Sequence, residues 1–361
     1  MMEELRRSFQ AARQQVSGHG KRNVGVLKDA LLNVADDTSS DIYGNGAVIN
    51  DFEQKIAALL GHESAVFFPS GTMAQQIALR IWSDDRNNRH VAYHPLCHLE
   101  LHEQDGLRQL HPIEPILVGE RDQMMTLDDI KALPEIACLL LELPNRELGG
   151  VAPSFSELEA IVAYCREQGI RLHLDGARLL ELLPYYDKTA SDVASLFDSV
   201  YLSFYKGIGG IAGAILAGPK VFTTEARIWK RRYGGDLISL YPYVMSSDYY
   251  YEQRKDRMGH YYEQAKYVAE RLNAIDNIFT TPRVPVSNMF HLHFKGEVAD
   301  VAARLTRIQD QLGLGLVGYL VEHDGYCSTE ISFGDAFDAV SNEAFEQLIT
   351  RLTAEFSAYR D

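Results

Sequence analysis

Short apolar runs alternate along this chain with longer stretches in which apolar residues recur every three or four positions. The runs at 65–68, 90–93, 137–143, 170–174, 199–205 and 214–218 predict strands. Helical spacing predicts helices at 48–60, where Ile49, Phe52, Ile56 and Leu59 share a face, and at 155–168, closed by Gly169. A further helix opens at Ser70-Gly71-Thr72 and runs to Trp82. Strand, helix and strand in turn predict an α/β fold, a mostly parallel sheet with helices on its faces and right-handed crossovers. The continuous run at 137–143 suits a central strand covered on both sides. The pattern then predicts one long helix over 246–275. Beyond it, strands at 288–294, 315–322 and 328–333 alternate with helices at 298–312 and 342–359, a small α+β domain. Residues 1–40 are polar, mixed in charge and helical in part, either an arm on a partner subunit or a surface helix. The expected divisions are an N-terminal arm at 1–40, a large domain at 41–245, and a linking helix with a small C-terminal domain at 246–361.

Composition narrows the class. A chain of 361 residues can bury a large core, and 46% hydrophobic with 24% charged residues is ordinary for a soluble globular protein. No apolar run reaches the roughly 18 residues of a membrane span, and the polar start lacks the apolar core of a secretory signal. The four cysteines (Cys97, Cys138, Cys165 and Cys327) form no CxxC pair, which fits a reducing cytoplasm. A net charge of -15 argues against nucleic acid or an anionic membrane as partner. It leaves room for an anionic ligand in a local basic pocket.

The candidate chemistry lies at strand ends, where a parallel α/β sheet presents its ligand crevice. The strand at 170–174 ends in Asp175-Gly176-Ala177-Arg178, and the strand at 199–205 delivers Lys206 into a Gly-rich loop. A lysine and a carboxylate so placed suit pyridoxal 5′-phosphate, which needs a lysine for its Schiff base and an acid facing the pyridinium nitrogen. The same pair also reads as a salt bridge on a sheet rim. Ser70-Gly71-Thr72 at a helix start reads either as a phosphate site or as an ordinary N-cap. His94, His98 and His102 are spaced four apart behind Pro95 on one helical face, which is zinc-ligand geometry. The Glu of HExxH is absent and no distant fourth ligand stands out, so no metal is expected. One imidazole stacked on an aromatic ligand is the sharper reading. The segment 207–213 nearly matches GxGxxG, but a strand follows it and no acid stands about 20 residues on, so a nicotinamide cofactor is not expected. The cationic cluster at 229–235 is either a phosphate clamp or a solvated face.

Five segments in order, DIYGNGAVINDFEQKIAALLG, VFFPSGTMAQQIALR, HLELHEQDG, LHLDGARL and SFYKGIGGIAGAILAG, resemble the threonine aldolase and β-eliminating lyase family. The resemblance spans Asp41 to Gly235 and weakens toward the C-terminus. It implies a pyridoxal phosphate enzyme of amino acid metabolism with the aspartate aminotransferase-like architecture, fold type I. Lys206 would carry the cofactor and return protons, and Asp175 would face the pyridine nitrogen. Ser70, Gly71 and Thr72 would hold the phosphate. His98, five residues before Glu103 as in the family, would stack on the ring and assist proton transfer. Arg178 would lie near the cofactor and take the substrate carboxylate. Ser203 joins the cofactor pocket and Tyr43 the substrate pocket, while Arg231 or Arg232 would reach a phosphate, possible also in a neighbouring subunit. Family active sites form at dimer interfaces, so a homodimer or homotetramer is expected. The implied activity is a carbon–carbon lyase, cleaving threonine or allo-threonine to glycine and an aldehyde. β-Elimination, racemization, transamination and a non-catalytic pyridoxal phosphate-binding paralogue are the alternatives. Three departures stand out. No RSDTVT-like segment is present, Tyr205 precedes the lysine with Ser203 three back, and Glu330 stands where the family has a carboxylate-binding arginine.

Overall fold

The computed structural model describes residues 1–357. The chain divides into two compact units, a larger one of residues 24–147 and 152–256 and a smaller one of 1–23, 148–151 and 257 onward. Each is a physical unit with its own sheet.

The larger unit is built on a seven-stranded sheet. Its strands are β1 (Ser64–Phe68), β2 (His90–Tyr93), β3 (Glu114–Leu117), β4 (Cys138–Glu142), β5 (Arg171–Asp175), β6 (Ser199–Ser203) and β7 (Ala214–Gly218). They lie in the order β1-β7-β6-β5-β4-β2-β3, all parallel except β7, which runs antiparallel to both neighbours. The edge strand β3 is absent from the sequence reading. It contains Pro115, which removes a ladder donor and is tolerated at a sheet edge. Helix α1 (Ala47–Leu60) is joined to β1 by buried Glu53, which accepts the Phe67 N–H at 2.7 Å and the Arg227 guanidinium. Helix α2 (Gly71–Arg86) leaves the end of β1 and packs across β6 and β7, with Trp82 stacked on Phe222 at 4.7 Å between ring centroids.

The sequence alternation at 170–174 suggests one apolar and one polar face. In the fold, β5 is buried from Leu172 to Asp175, and His173 is fully enclosed. A central parallel strand has no solvent face, so its polar residues need partners inside.

The single helix expected at 246–275 is two helices. Helix α7 (Tyr241–Arg254) starts with Pro242 in its first turn, and α8 (Met258–Asn273) follows a 3₁₀ turn over Lys255–Arg257. No Gly or Pro stands within that turn, and Gly259 falls inside the first turn of α8, so periodicity alone runs through the break. The boundary between the units falls in this turn.

The smaller unit carries a four-stranded antiparallel sheet of β8 (Ile278–Thr281), β9 (Met289–Lys295), β10 (Val321–His323) and β11 (Tyr326–Ser332), in the order β10-β11-β9-β8. Helices α9 (Val298–Leu312) and α10 (Asn342–Phe356) pack on each other. Residues 358 and 359 of the expected last helix lie outside the described residues. Residues 1–23, read as part of an arm, belong to this unit: the helix Met2–Ala11 packs on α9 and Gln14–Gln15 pairs with Leu314–Gly315. The strand expected at 315–322 is divided: Gly315 pairs with Gln15, Val321–His323 joins the four-stranded sheet as β10, and between them a Cβ at Gly315 would lie 2.9 Å from the Phe9 ring, and one at Gly318 3.0 Å. Glu330 sits on β11 opposite His291, its backbone N–H donating to the Tyr319 hydroxyl at 3.3 Å.

Candidate active site

The carboxyl ends of four neighbouring parallel strands present Tyr93, Glu142, Asp175 and Ser203 on one rim of the larger unit's sheet. Lys206 follows three residues past β6. Asp175 is 2% exposed, with Oδ1 accepting the Ala177 N–H at 3.1 Å and Oδ2 accepting the Gln75 side-chain amide. Among the described residues no ion pair joins Lys206 to Asp175, so these two do not form a rim salt bridge. Burial pushes the Lys206 ammonium below its ordinary range, and the Arg178 guanidinium adds to this, against the opposing pull of Asp175 and Glu142. The loop after Lys206 lies between antiparallel β6 and β7, not between a strand and a helix, so its glycines do not form a dinucleotide fingerprint. Arg254 clamps it by donating to the Ile208 carbonyl at 2.5 Å.

Two buried carboxylates were not singled out from the sequence. Glu142 sits in register with Asp175 on the adjacent strand. Its oxygens accept the backbone N–H groups of His98 at 3.1 Å and Arg146 at 3.2 Å. Burial first, then the charge of Asp175, push its carboxyl up to about 7. The signal was available: like Asp175, Glu142 is the acid closing an apolar strand. Glu181, near the start of helix α5 (Leu179–Tyr186, which Arg178 precedes), is 2% exposed and pushed upward by burial. A Cβ at Gly207 would lie 1.9 Å from its Oε1, so the residue after Lys206 has no room for a side chain.

The three histidines diverge. Only His98 and His102 share the short helix His98–His102, and His94 lies before it. His94 accepts the Leu96 N–H on Nδ1 and places Nε2 at 2.8 and 2.9 Å from the Glu120 and Gln123 carbonyls. His102 pairs with Glu147 at 2.9 Å. His98 places Nδ1 3.2 Å from Oε1 of buried Glu103, whose other oxygen accepts from Gln76 at 2.8 Å. A carboxylate oxygen accepts here, so Nδ1 is the nitrogen that donates to Glu103 and Nε2 is the one left for a substrate.

Ser70 is the N-cap residue of α2, yet its hydroxyl makes no capping bond. A Cβ at Gly71 would lie 2.1 Å from the Tyr201 hydroxyl, which itself lies 3.3 Å from that of Tyr205. Thr72 is half-buried in the first turn. Ser203 Oγ is buried with no partner of hydrogen-bond geometry. Tyr43 and Arg231 are exposed and face each other, the guanidinium 4.6 Å from the ring centroid. Neither makes a hydrogen bond or ion pair with Lys206 or Asp175. The unpaired lysine, the enclosed carboxylate and the unsatisfied Ser203 hydroxyl suit a phosphorylated pyridine aldehyde.

The strand order and its antiparallel β7 place this chain in fold type I, the architecture of a large class of pyridoxal phosphate enzymes. The β-eliminating lyase pattern matches residues 27–295, and the chain belongs to that family. It is 68% identical to a candidate aromatic amino acid β-eliminating lyase/threonine aldolase from Exiguobacterium sp. 255-15, covering 98% of this chain and 100% of that one with a TM-score of 0.97. It is 57% identical to a candidate L-allo-threonine aldolase from Listeria monocytogenes, covering 98% and 99%, again with a TM-score of 0.97. Low-specificity L-threonine aldolase 1 of Arabidopsis thaliana is 24% identical over 307 residues, 82% of this chain and 85% of that protein.

The Glu142 environment has a measurable consequence in the cofactor-free protein. Its folded carboxyl titrates near 7 against an ordinary 4.5. Between those values the folded state holds a proton that the unfolded chain has lost, so stability falls as pH rises through that window. The loss should be on the order of 3 kcal/mol, and Glu142→Gln should flatten it in urea denaturation at a series of pH values. An identical slope in that variant would place the titration elsewhere.

Proposed function

We propose that this chain is a pyridoxal 5′-phosphate-dependent carbon–carbon lyase that cleaves a β-hydroxy-α-amino acid, threonine or allo-threonine, to glycine and an aldehyde. The reading is carried by near end-to-end likeness to a candidate L-allo-threonine aldolase in a chain whose strand-end lysine is unpaired beside a buried carboxylate. The larger unit would hold the cofactor: Lys206 would supply the amine that carries it, Asp175 the carboxylate for its ring nitrogen, and Ser70, Gly71, Thr72 and Ser203 donors for its phosphate and surroundings. When bound, pyridoxal phosphate supplies an electron sink for the pair released from the Cα–Cβ bond.

The chain's residues direct which bond breaks. Arg178 binds the substrate carboxylate, a contact whose planar fork fixes orientation. His98 takes the β-hydroxyl proton on Nε2, because Glu103 holds its Nδ1–H. The β-oxygen becomes the aldehyde carbonyl, and Lys206 returns a proton to the glycine carbon. Burial and the Arg178 charge lower its basicity, which suits an amine that must both shed and accept protons. β-Elimination needs the hydroxyl to leave with a proton added, whereas His98 beside Glu103 is arranged to take one away. The purified holoenzyme should release glycine and acetaldehyde from L-threonine or L-allo-threonine. Asp175→Asn should keep the cofactor but lower kcat by about 100-fold or more, the scale lost with a preorganised electrostatic partner. No aldehyde from any threonine isomer, with pyruvate or a racemized amino acid formed instead, would replace aldol cleavage with one of the other chemistries.

A second copy of the chain completes the assembly in this reading. Ile42, Tyr43 and Ile238 are 61%, 46% and 60% exposed on adjoining segments, held together by the Tyr43 N–H and the Ile238 carbonyl at 3.1 Å. A homodimer or homotetramer burying this patch gives Tyr43 and Arg231 a place at an interface. The free, buried cysteines suit a cytoplasmic enzyme. Sedimentation should show a dimer or larger, and Ile42→Asp with Ile238→Asp should shift it toward monomer. A monomeric parent protein at micromolar concentration would contradict this arrangement.

A further inference from the structure

Behind Asp175 lies a chain of hydrogen bonds that the reaction as described does not use. Trp82 Nε1 lies 2.8 Å from Ser199 Oγ, Ser199 Oγ 2.8 Å from His173 Nδ1, and His173 Nε2 2.8 Å from Gln75 Oε1. Gln75 Nε2 then donates to Asp175 Oδ2. All five residues are at most 4% exposed. The secondary structure sets the spacing. Gln75 and Trp82 are seven apart on α2 and share its inner face. His173 and Ser199 are register partners on β5 and β6.

The polarity is set from the carboxylate end. Asp175 accepts from the Gln75 amide, so Gln75 turns its Oε1 to His173, whose Nε2 donates and whose Nδ1 accepts the Ser199 hydroxyl hydrogen, while Ser199 Oγ accepts the Trp82 indole N–H. Burial holds the His173 imidazolium down to about 3, so the ring is neutral and carries its proton on Nε2. That proton faces Gln75 Oε1, which leaves the Gln75 amide N–H groups to face Asp175. Without His173 the amide could turn over and point a carbonyl oxygen at the carboxylate.

We propose that Trp82, Ser199, His173 and Gln75 form a polarised relay that fixes the Gln75 amide as a donor to Asp175, making Gln75 and His173 positioning residues for the carboxylate that faces the cofactor's ring nitrogen. The inference rests on Asp175 having that role. A carboxylate held on Oδ1 by the Ala177 N–H and on Oδ2 by Gln75 cannot swing away from the ring. With that hold lost, the ring nitrogen keeps less positive charge, and the cofactor-bearing nitrogen of Lys206 retains its proton to higher pH.

The readout is the pH midpoint of the holoenzyme's visible absorption, measured without substrate. Gln75→Leu should raise it by about one pH unit, the scale of one charge-assisted hydrogen bond. Ser199→Ala, which touches neither Asp175 nor the cofactor, should raise it less. The double variant should match Gln75→Leu alone, because Ser199 acts only through Gln75. Should Gln75→Leu not fold, Ser199→Ala decides by itself. Chains of bonds that merely stabilise the fold would lower Tm in these variants and leave the midpoint in place. An unmoved midpoint in Ser199→Ala, or shifts that add in the double variant, overturns the relay. A parent protein that acquires no visible absorbance with pyridoxal phosphate overturns the cofactor reading, and the relay with it.

Discussion

Two acids that end adjacent strands in a water-poor rim impose the main constraint on this molecule. Glu142 and Asp175 are register neighbours, and both are buried. Like charges so close cannot both be held without donors or a cation. The surrounding sequence supplies them: two backbone N–H groups for Glu142, one backbone and one side-chain N–H for Asp175, and the nearby charges of Lys206 and Arg178. The same donors tie together the segments that carry His98, Arg146 and Ala177. Electrostatic accommodation and geometric preparation of the site are therefore one arrangement.

The central strands were legible because each is a short apolar run between helical periods, and their ends gave Asp175 and Lys206 directly. The edge strand with Pro115 was not, since its pairing is tolerated by its position at the sheet edge and not favoured by its residues. The break at Lys255–Arg257 holds no Gly or Pro itself, and Gly259 just beyond it lies inside the next helix. The strand expected at 315–322 is divided because its start pairs with Gln14–Gln15, some three hundred positions away, and its end with β11, and Phe9 fills the space beside Gly315 and Gly318.

The site was partly legible for the same reason. Strand-end logic names Asp175 and applies equally to Glu142, whose place in a long apolar run hid it. Glu181 and Gln75 are visible only once α5 and α2 are packed, because their neighbours come from the loop after Lys206 and from β5. His173 reads as the polar half of an alternating strand and turns out to be enclosed. Its burial has a physical reason in Gln75 and Ser199, which satisfy both ring nitrogens. Tyr43 and Arg231 meet each other and make no direct hydrogen bond or ion pair with Lys206 or Asp175, and in the functional reading they acquire a role through a second copy.

The account depends most directly on Lys206 being the residue that bears the cofactor. Borohydride reduction of the pyridoxal phosphate-loaded protein, followed by peptide mapping, should place the pyridoxyl group on Lys206. A label on Lys220 or Lys230 instead, or on no lysine at all, would contradict it.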